Sequence, residues 1–289
     1  MLKLKRLLIA LTVAVGVLAV PTVASAAATE PIYEVPYGPG ATEFGMILPA
    51  AQPGKPVLLF VHGGWAIQQS PNVVKGEPEM LKVQEHSGFE IYAIDYPQTC
   101  RPRFPIECGR TEGEAVVRAY HWLQENASAY GGDPNNIEIL GASAGGTIAE
   151  RAALQLAREE PGVLRSVTEL SAPWLNNVTF VPGLETGLTA STGEQPTAQY
   201  LDCPEVIGGC SEAIEVRESP IFHLPPAAAC PPQQVSWGEV NDIVAKSQSI
   251  EFAKAAEANG CPVVRTPAPK GHAQIGSIEK ALIAFWKAH

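Results

Sequence analysis

Short apolar runs alternate with longer stretches in which apolar residues recur every three or four positions. The runs at 56–64 (PVLLFVHGG) and 89–97 (FEIYAIDYP) are apolar almost throughout and predict strands buried on both faces. Between them, EPEMLKVQEHSG predicts a helix ended by Gly88. In EGEAVVRAYHWLQENASAYGG, the residues Ala115, Val116, Ala119, Trp122 and Leu123 share one face, which predicts an amphipathic helix stopping at the Gly131-Gly132-Asp133-Pro134 turn. The strand IEILGA, the helix GGTIAERAALQLAREE and the strand SVTELSAP come next. After an interruption the rhythm resumes with the strand QQVSWGE, the helix AKSQSIEFAKAAEANG, the strand PVVRT and the terminal helix SIEKALIAFWKAH. Strands alternating with helices of these lengths predict an α/β fold, a mainly parallel central sheet flanked by helices.

The interruption covers residues 174–226, where Pro, Gly, Thr and Ser dominate and no period holds. A stretch that long inside one domain predicts a loop-rich, lid-like insertion between the sixth and seventh strands. At the other end, Lys3, Lys5 and Arg6 precede an apolar run to Val20 and then Ala24-Ser25-Ala26. That order predicts a secretory signal peptide over 1–26, leaving a single domain over 27–289. The apolar run is shorter than the roughly 20 residues of a membrane span, so no stable membrane insertion is expected after cleavage.

Composition adds three constraints. Hydrophobic residues make up 46% and charged ones 17%, enough apolar content for a packed core. Without the leader, 17 of the 20 basic residues face 30 acidic ones, a net charge of −13. Such a surface repels nucleic acid and anionic lipid, so neither is an expected partner. Six cysteines in an exported chain predict three disulfides rather than a metal site. Spacing favours Cys100–Cys108 and Cys203–Cys210 as loop closures. Cys230–Cys261 then forms a bridge between two strand starts, provided those strands are parallel neighbours. No histidine and carboxylate cluster has metal spacing, and no cofactor is expected.

The candidate chemistry begins at IEILGASAGG, where a predicted strand runs into Gly141-Ala142-Ser143-Ala144-Gly145 and a helix follows at once. Gly-x-Ser-x-Gly alone is a weak motif, since a serine there also serves as a helix cap. Between a strand and a helix it becomes a nucleophile elbow that exposes the Ser143 hydroxyl. A serine hydroxyl needs a base. Of the six histidines, His272 in APKGHAQIG follows the last strand and precedes the last helix, the position the chain order Ser, acid, His requires. The acid that orients the imidazole belongs after QQVSWG, where WGEVNDIV offers Glu239, Asn241 and Asp242. Asp242 is preferred, with Glu239 second. Amides for an oxyanion come from FVHGGWA, through Gly63 or Gly64, and from Ala144 directly after the serine. His62 then reads as a structural hydrogen-bonder of that loop.

Taken in order, VHGGW, IDYP, YGGDPNNIEILGASAGG, WGE..D and GH give the chain a resemblance, from about Val57 to His289, to the carboxylesterases of the α/β-hydrolase superfamily. The nearest branches are those of hormone-sensitive lipase and the formamidases. The resemblance implies an α/β-hydrolase fold and cofactor-free hydrolysis of small-molecule esters. It also implies a triad at Ser143, Asp242 and His272 with an oxyanion hole at the HGG loop. Two departures stand out. The loop has one glycine fewer than the commoner HGGGW. Aligned without a gap, the acid position falls on Asn241, and one extra residue in the turn brings it to Asp242. An amidase or peptidase using the same triad, or a binding protein that keeps the fold without catalysis, are the rival readings. Acyl preference and oligomeric state are left open by the sequence.

Overall fold

The structure is a computed structural model describing residues 30–64, 72–97, 110–173, 219–240 and 242–289. Its strands are β1 (Ile32–Pro36), β2 (Phe44–Leu48), β3 (Lys55–Val61), β4 (Glu90–Ile94), β5 (Gly132–Ala142), β6 (Ser166–Leu170), β7 (Gln233–Ser236) and β8 (Val263–Arg265). The helices are α1 (Asn72–Ser87), α2 (Arg110–Asn126), α3 (Ala144–Glu159), α4 (Lys246–Ala258) and α5 (Ile275–Ala288). One eight-stranded sheet runs in the order β1-β2-β4-β3-β5-β6-β7-β8. It is parallel from β4 to β8, while β2 is antiparallel to β1 and to β4.

The apolar runs are continuous because both faces of the sheet are covered. Along β3, Val57, Leu59 and Val61 enter one core with Ala115, Ala119 and Leu123 of α2 and Ile148, Ala152 and Leu156 of α3. The alternate residues Leu58 and Phe60 enter the opposite core with Met80 and Val83 of α1 and Ile278, Leu282 and Trp286 of α5. A third cluster joins Val235 and Trp237 to Phe252, Ala253 and Ala256 of α4. Burying each large side chain contributes about 1.5–3 kcal/mol. These clusters hold the strand ends, and the loops leaving those ends hold the chemistry.

The fold differs from the sequence expectation in three places, at one of which β5 already starts at Gly132, inside the expected turn. The strands β1 and β2 add an antiparallel edge that alternation did not signal, because β1 is mostly exposed and Gly45 interrupts β2. Gly45 is required there: a Cβ would meet the Ala93 carbonyl at 2.4 Å. The third difference is α1, which starts at Asn72 and carries Pro78 inside it. Proline is favoured in a first helical turn, so EPEM reads locally as a start.

The insertion at 174–226 does fall between β6 and β7, but residues 174–218 lie outside the described residues, as do 1–29 and Cys100, Cys108, Cys203 and Cys210. Cys230 and Cys261 are bonded, with Cα atoms 5.3 Å apart. The reason is the one expected: β7 and β8 are parallel neighbours, Gln233 opposite Val263, so the residues just before them meet at one edge. No helix among the described residues is long and apolar enough to cross a membrane.

Candidate active site

The connection leaving β3 runs to β4 on one side, whereas that leaving its other neighbour, β5, runs to β6 on the opposite side. In open α/β sheets a crevice forms outside the carboxyl ends of the strands where the order reverses. Ser143 sits at that end of β5, between the last strand residue and the first residue of α3. Its backbone has φ 56° and ψ −128°, a conformation L-residues rarely adopt. The turn is held by Ser143 N–H donating to the Leu170 carbonyl at 2.7 Å, and by Gly146 N–H donating to the Ser143 carbonyl at 2.8 Å.

Both flanking glycines of the motif are required by close approach. A Cβ on Gly145 would lie 2.3 Å from the carbonyl oxygens of Val61 and His62, and one on Gly141 would lie 2.3 Å from the Gly145 carbonyl. The start of α3 is thereby pressed against the end of β3. The HGG loop follows that end. A Cβ added to Gly63 would meet Ser143 Cβ at 2.9 Å, so the loop backbone runs directly beside the serine. Gly64 has φ 113°, open to glycine and costly for other residues. Ala144 is buried as the first residue of α3, where helix N–H groups are unpaired and the macrodipole favours negative charge.

His62 braces this loop. Its Nδ1 donates to the Gly63 carbonyl at 2.6 Å, since a carbonyl only accepts, and its Nε2 lies 2.9 Å from Asp95 Oδ1. Tyr96 stacks on the imidazole at 4.6 Å between centroids, and its hydroxyl donates to the His62 carbonyl at 2.8 Å. Tyr37 OH donates to the Asp95 carbonyl at 2.6 Å. The motif HGG and the motif IDYP, distant in sequence, form one polar network beneath the site.

His272 arrives from the loop between β8 and α5, and its Nδ1 is 2.6 Å from Asp242 Oδ1. The Asp242 side chain is 4% exposed and that of His272 is 21% exposed, so the carboxylate is shielded while the ring reaches solvent. Three further donors converge on Asp242. Ser171 Oγ and Gly238 N–H reach Oδ2 at 2.6 and 2.7 Å, and Val244 N–H reaches Oδ1 at 3.0 Å. Burial alone raises this carboxyl, but the donors from His272, Ser171, Gly238 and Val244 outweigh it and hold it below the usual carboxylate range. Asp242 is thus kept ionised facing the imidazole.

Glu239 points elsewhere: it accepts from Trp237 Nε1 at 3.0 Å and pairs with Lys246 Nζ at 2.8 Å. Asn241 lies outside the described residues. The structure thus brings Gly63 beside Ser143 and Asp242 to His272. Sequence reasoning missed Ser171, the residue directly after β6. Its partners lie 71 and 102 positions away, so no local signal marks it. Among the described residues no group of three or more His, Cys, Asp or Glu side chains is arranged to hold a metal.

Residues 58–270 match the family described as having the α/β-hydrolase fold. Esterase LipQ of Mycobacterium tuberculosis is 30% identical over 252 residues, covering 80% of this chain and 54% of that protein. Carboxylesterase NlhH of the same organism is 31% identical over 115 residues, 39% of this chain and 33% of that one. The chain therefore spans about half the length, or less, of the curated relatives it matches. Among solved structures, a truncated carbohydrate esterase from gut microbiota superposes with a TM-score of 0.67 at 17% identity, covering 92% of this chain and 98% of that one. EstE1, a thermostable carboxylesterase cloned from a metagenomic library, gives 0.61 at 18% identity over 91% and 88% of the two chains. At these identities the structural likeness speaks for the fold, and together with the family match over most of the chain it establishes that this protein belongs to the α/β-hydrolase-fold family.

Proposed function

We propose that the protein is an exported serine esterase that cleaves carboxylic esters through an acyl-enzyme intermediate. The observation that carries this reading is the 2.6 Å hydrogen bond between His272 and the shielded Asp242, at the sheet end where Ser143 holds its strained corner. His272 takes the proton of Ser143 Oγ through Nε2 as the hydroxyl attacks the ester carbonyl. Asp242 keeps Nδ1 protonated and balances the imidazolium that forms. The tetrahedral oxyanion is held by N–H groups of the Gly63-Gly64 loop and of Ala144, each contributing about 3 kcal/mol to the barrier reduction. The imidazolium then protonates the departing alcohol. The acyl-serine is hydrolysed by a water that gives its proton to His272, and the acid leaves as Ser143 is restored.

Esterase and carboxylesterase relatives over part of their lengths support ester rather than amide substrates. Export is supported by the basic, apolar and small-residue order of residues 1–26 and by the Cys230–Cys261 bond, since disulfides persist in oxidising compartments. The test is labelling of the purified protein with a fluorophosphonate, followed by turnover of p-nitrophenyl esters of graded acyl length and of an aryl amide, with Ser143→Ala as control. Labelling confined to the wild type and ester turnover above amide turnover are expected. Absence of labelling would leave a non-catalytic binding protein, and faster amide turnover would make it an amidase.

A further inference from the structure

Strain in the described backbone is concentrated at the site. Four residues other than glycine have positive φ, and three of them are Ser143 at 56°, Ser171 at 51° and Ala273 at 48°. Each such residue is strained and persists only where its surroundings hold it. Ser143 is accounted for by the nucleophile turn. Ser171 and Ala273 are joined to each other, because the Ala273 N–H donates to Ser171 Oγ at 3.0 Å. The same hydroxyl donates its own proton to Asp242 Oδ2 at 2.6 Å. One oxygen thus touches both the acid and the residue directly after the base. Ser171 is 2% exposed, so water does not replace it freely in this role.

The backbone around Ser171 extends the same connection to the serine. Leu170, its neighbour, accepts the Ser143 N–H, and Ser171 N–H donates to the Ser236 carbonyl at the end of β7. The end of β6 therefore meets three segments: the nucleophile corner through Leu170, the acid turn through Ser171 Oγ, and the His272 loop through Ser171 Oγ again. These segments come from three different connections, after β5, after β7 and after β8, which the end of β6 ties together.

We infer that Ser171 is a positioning residue of the hydrolytic site, aligning the Asp242 carboxylate with the His272 ring through a single shared hydroxyl. The inference rests on the esterase reading above. Ser171 does not touch the reacting atoms. It acts by restricting two loops to the geometry in which the Nδ1–H of His272 meets Asp242 Oδ1, and misalignment of this kind lowers turnover without weakening substrate binding. The positive φ is part of the device, because it turns the side chain from the strand direction toward the acid turn.

The test uses two replacements that differ in strain but both lack the hydroxyl. Ser171→Gly relaxes the backbone at φ 51°, whereas Ser171→Ala keeps a Cβ there. Both are expected to lose about tenfold or more in kcat with KM within about twofold of wild type. Ser171→Gly is expected to melt no lower than Ser171→Ala, and the downfield Nδ1 proton resonance of His272 is expected to shift or broaden in both. Wild-type kcat in Ser171→Gly would overturn the inference and leave the residue a backbone joint. Lost kcat with an unchanged His272 resonance would overturn it as well, since the loss would not pass through the acid and base. If the wild type itself turns over no ester and Ser143 takes no fluorophosphonate, the esterase reading fails. If the wild type is active and Ser143→Ala is not, only the Ser171 result decides this inference.

Discussion

Asp242 and His272, 30 positions apart in the chain, share a 2.6 Å hydrogen bond, while Glu239, three residues before Asp242, pairs with Lys246 and Trp237 instead. Asp242→Asn is expected to lower kcat by about 10⁴-fold, because an amide permits the wrong imidazole tautomer and leaves the imidazolium unbalanced. Glu239→Gln is expected to stay within about twofold, since its ion pair with Lys246 is exposed and such pairs contribute little, and a glutamine still offers Trp237 an acceptor oxygen. Steady-state ester hydrolysis by the two purified variants checks both.

The pressure of α3 on the end of β3 makes Gly145 intolerant of any side chain. A methyl there would meet two backbone carbonyls at 2.3 Å, and neither is free to swing aside as a flexible side chain would. Gly145→Ala is expected to destabilise the fold by about 1–3 kcal/mol and to displace Ser143 with it. Urea unfolding followed by tryptophan fluorescence, alongside fluorophosphonate labelling, measures the two effects.

The Cys230–Cys261 bond closes a segment of 31 residues carrying β7, α4 and the acid turn. Loop-closure entropy for that length gives about 3–4 kcal/mol of stabilisation. Replacing both cysteines with serine is expected to lower the urea midpoint accordingly. It is also expected to reduce ester turnover, because Asp242 lies inside the closed segment.

Three buried carboxyls that take no part in the candidate site give stability a pH dependence. Burial pushes Glu90 up to about 8, Glu138 to about 7 and Glu150 to about 8 from an ordinary value of 4.5. Since the native state holds these protons more tightly than the unfolded chain does, their contribution is fully present below pH 4.5 and is lost as pH rises to 7–8. While an unfolded carboxyl is ionised and its native counterpart is not, stability falls by about 1.4 kcal/mol per pH unit for each group. Glu90→Gln removes one of them. Its stability relative to wild type is therefore expected to rise between pH 5 and pH 8, as read by urea midpoints across that range.

Beneath the HGG loop, His62 and Asp95 form a buried pair, their side chains 5% and 1% exposed. Removing Asp95 leaves His62 Nε2 buried without its hydrogen-bond partner, so Asp95→Ala is expected to destabilise by about 1–3 kcal/mol. It is also expected to loosen the Gly63-Gly64 backbone beside Ser143. Tyr96→Phe, which deletes one hydroxyl donor to the His62 carbonyl, is expected to cost about 1 kcal/mol. Thermal melts of the two variants give the comparison.

The order of strands and helices was legible because periodicity is local: two residues per strand repeat and 3.6 per helix turn record which face is covered. The serine corner was legible for the same reason, since a strand, a glycine-flanked residue and a helix are consecutive. The edge strands β1 and β2 were not, because an exposed edge carries little alternation and Gly45 answers to a neighbouring backbone rather than to its own strand.

By itself, then, the amino-acid sequence determined the α/β layering, the Gly-x-Ser-x-Gly turn at Ser143 and the place of His272 after the last strand. It also narrowed the acid to one short turn and proposed Cys230 and Cys261 as partners. Only the tertiary structure decided that Asp242 rather than Glu239 meets the imidazole, that IDYP supports HGG from below, and that Ser171 links the acid to the histidine loop. The physical reason is range. Backbone propensity and burial act over a few residues, whereas the aim of a carboxylate or hydroxyl is set by strands packed side by side from distant parts of the chain.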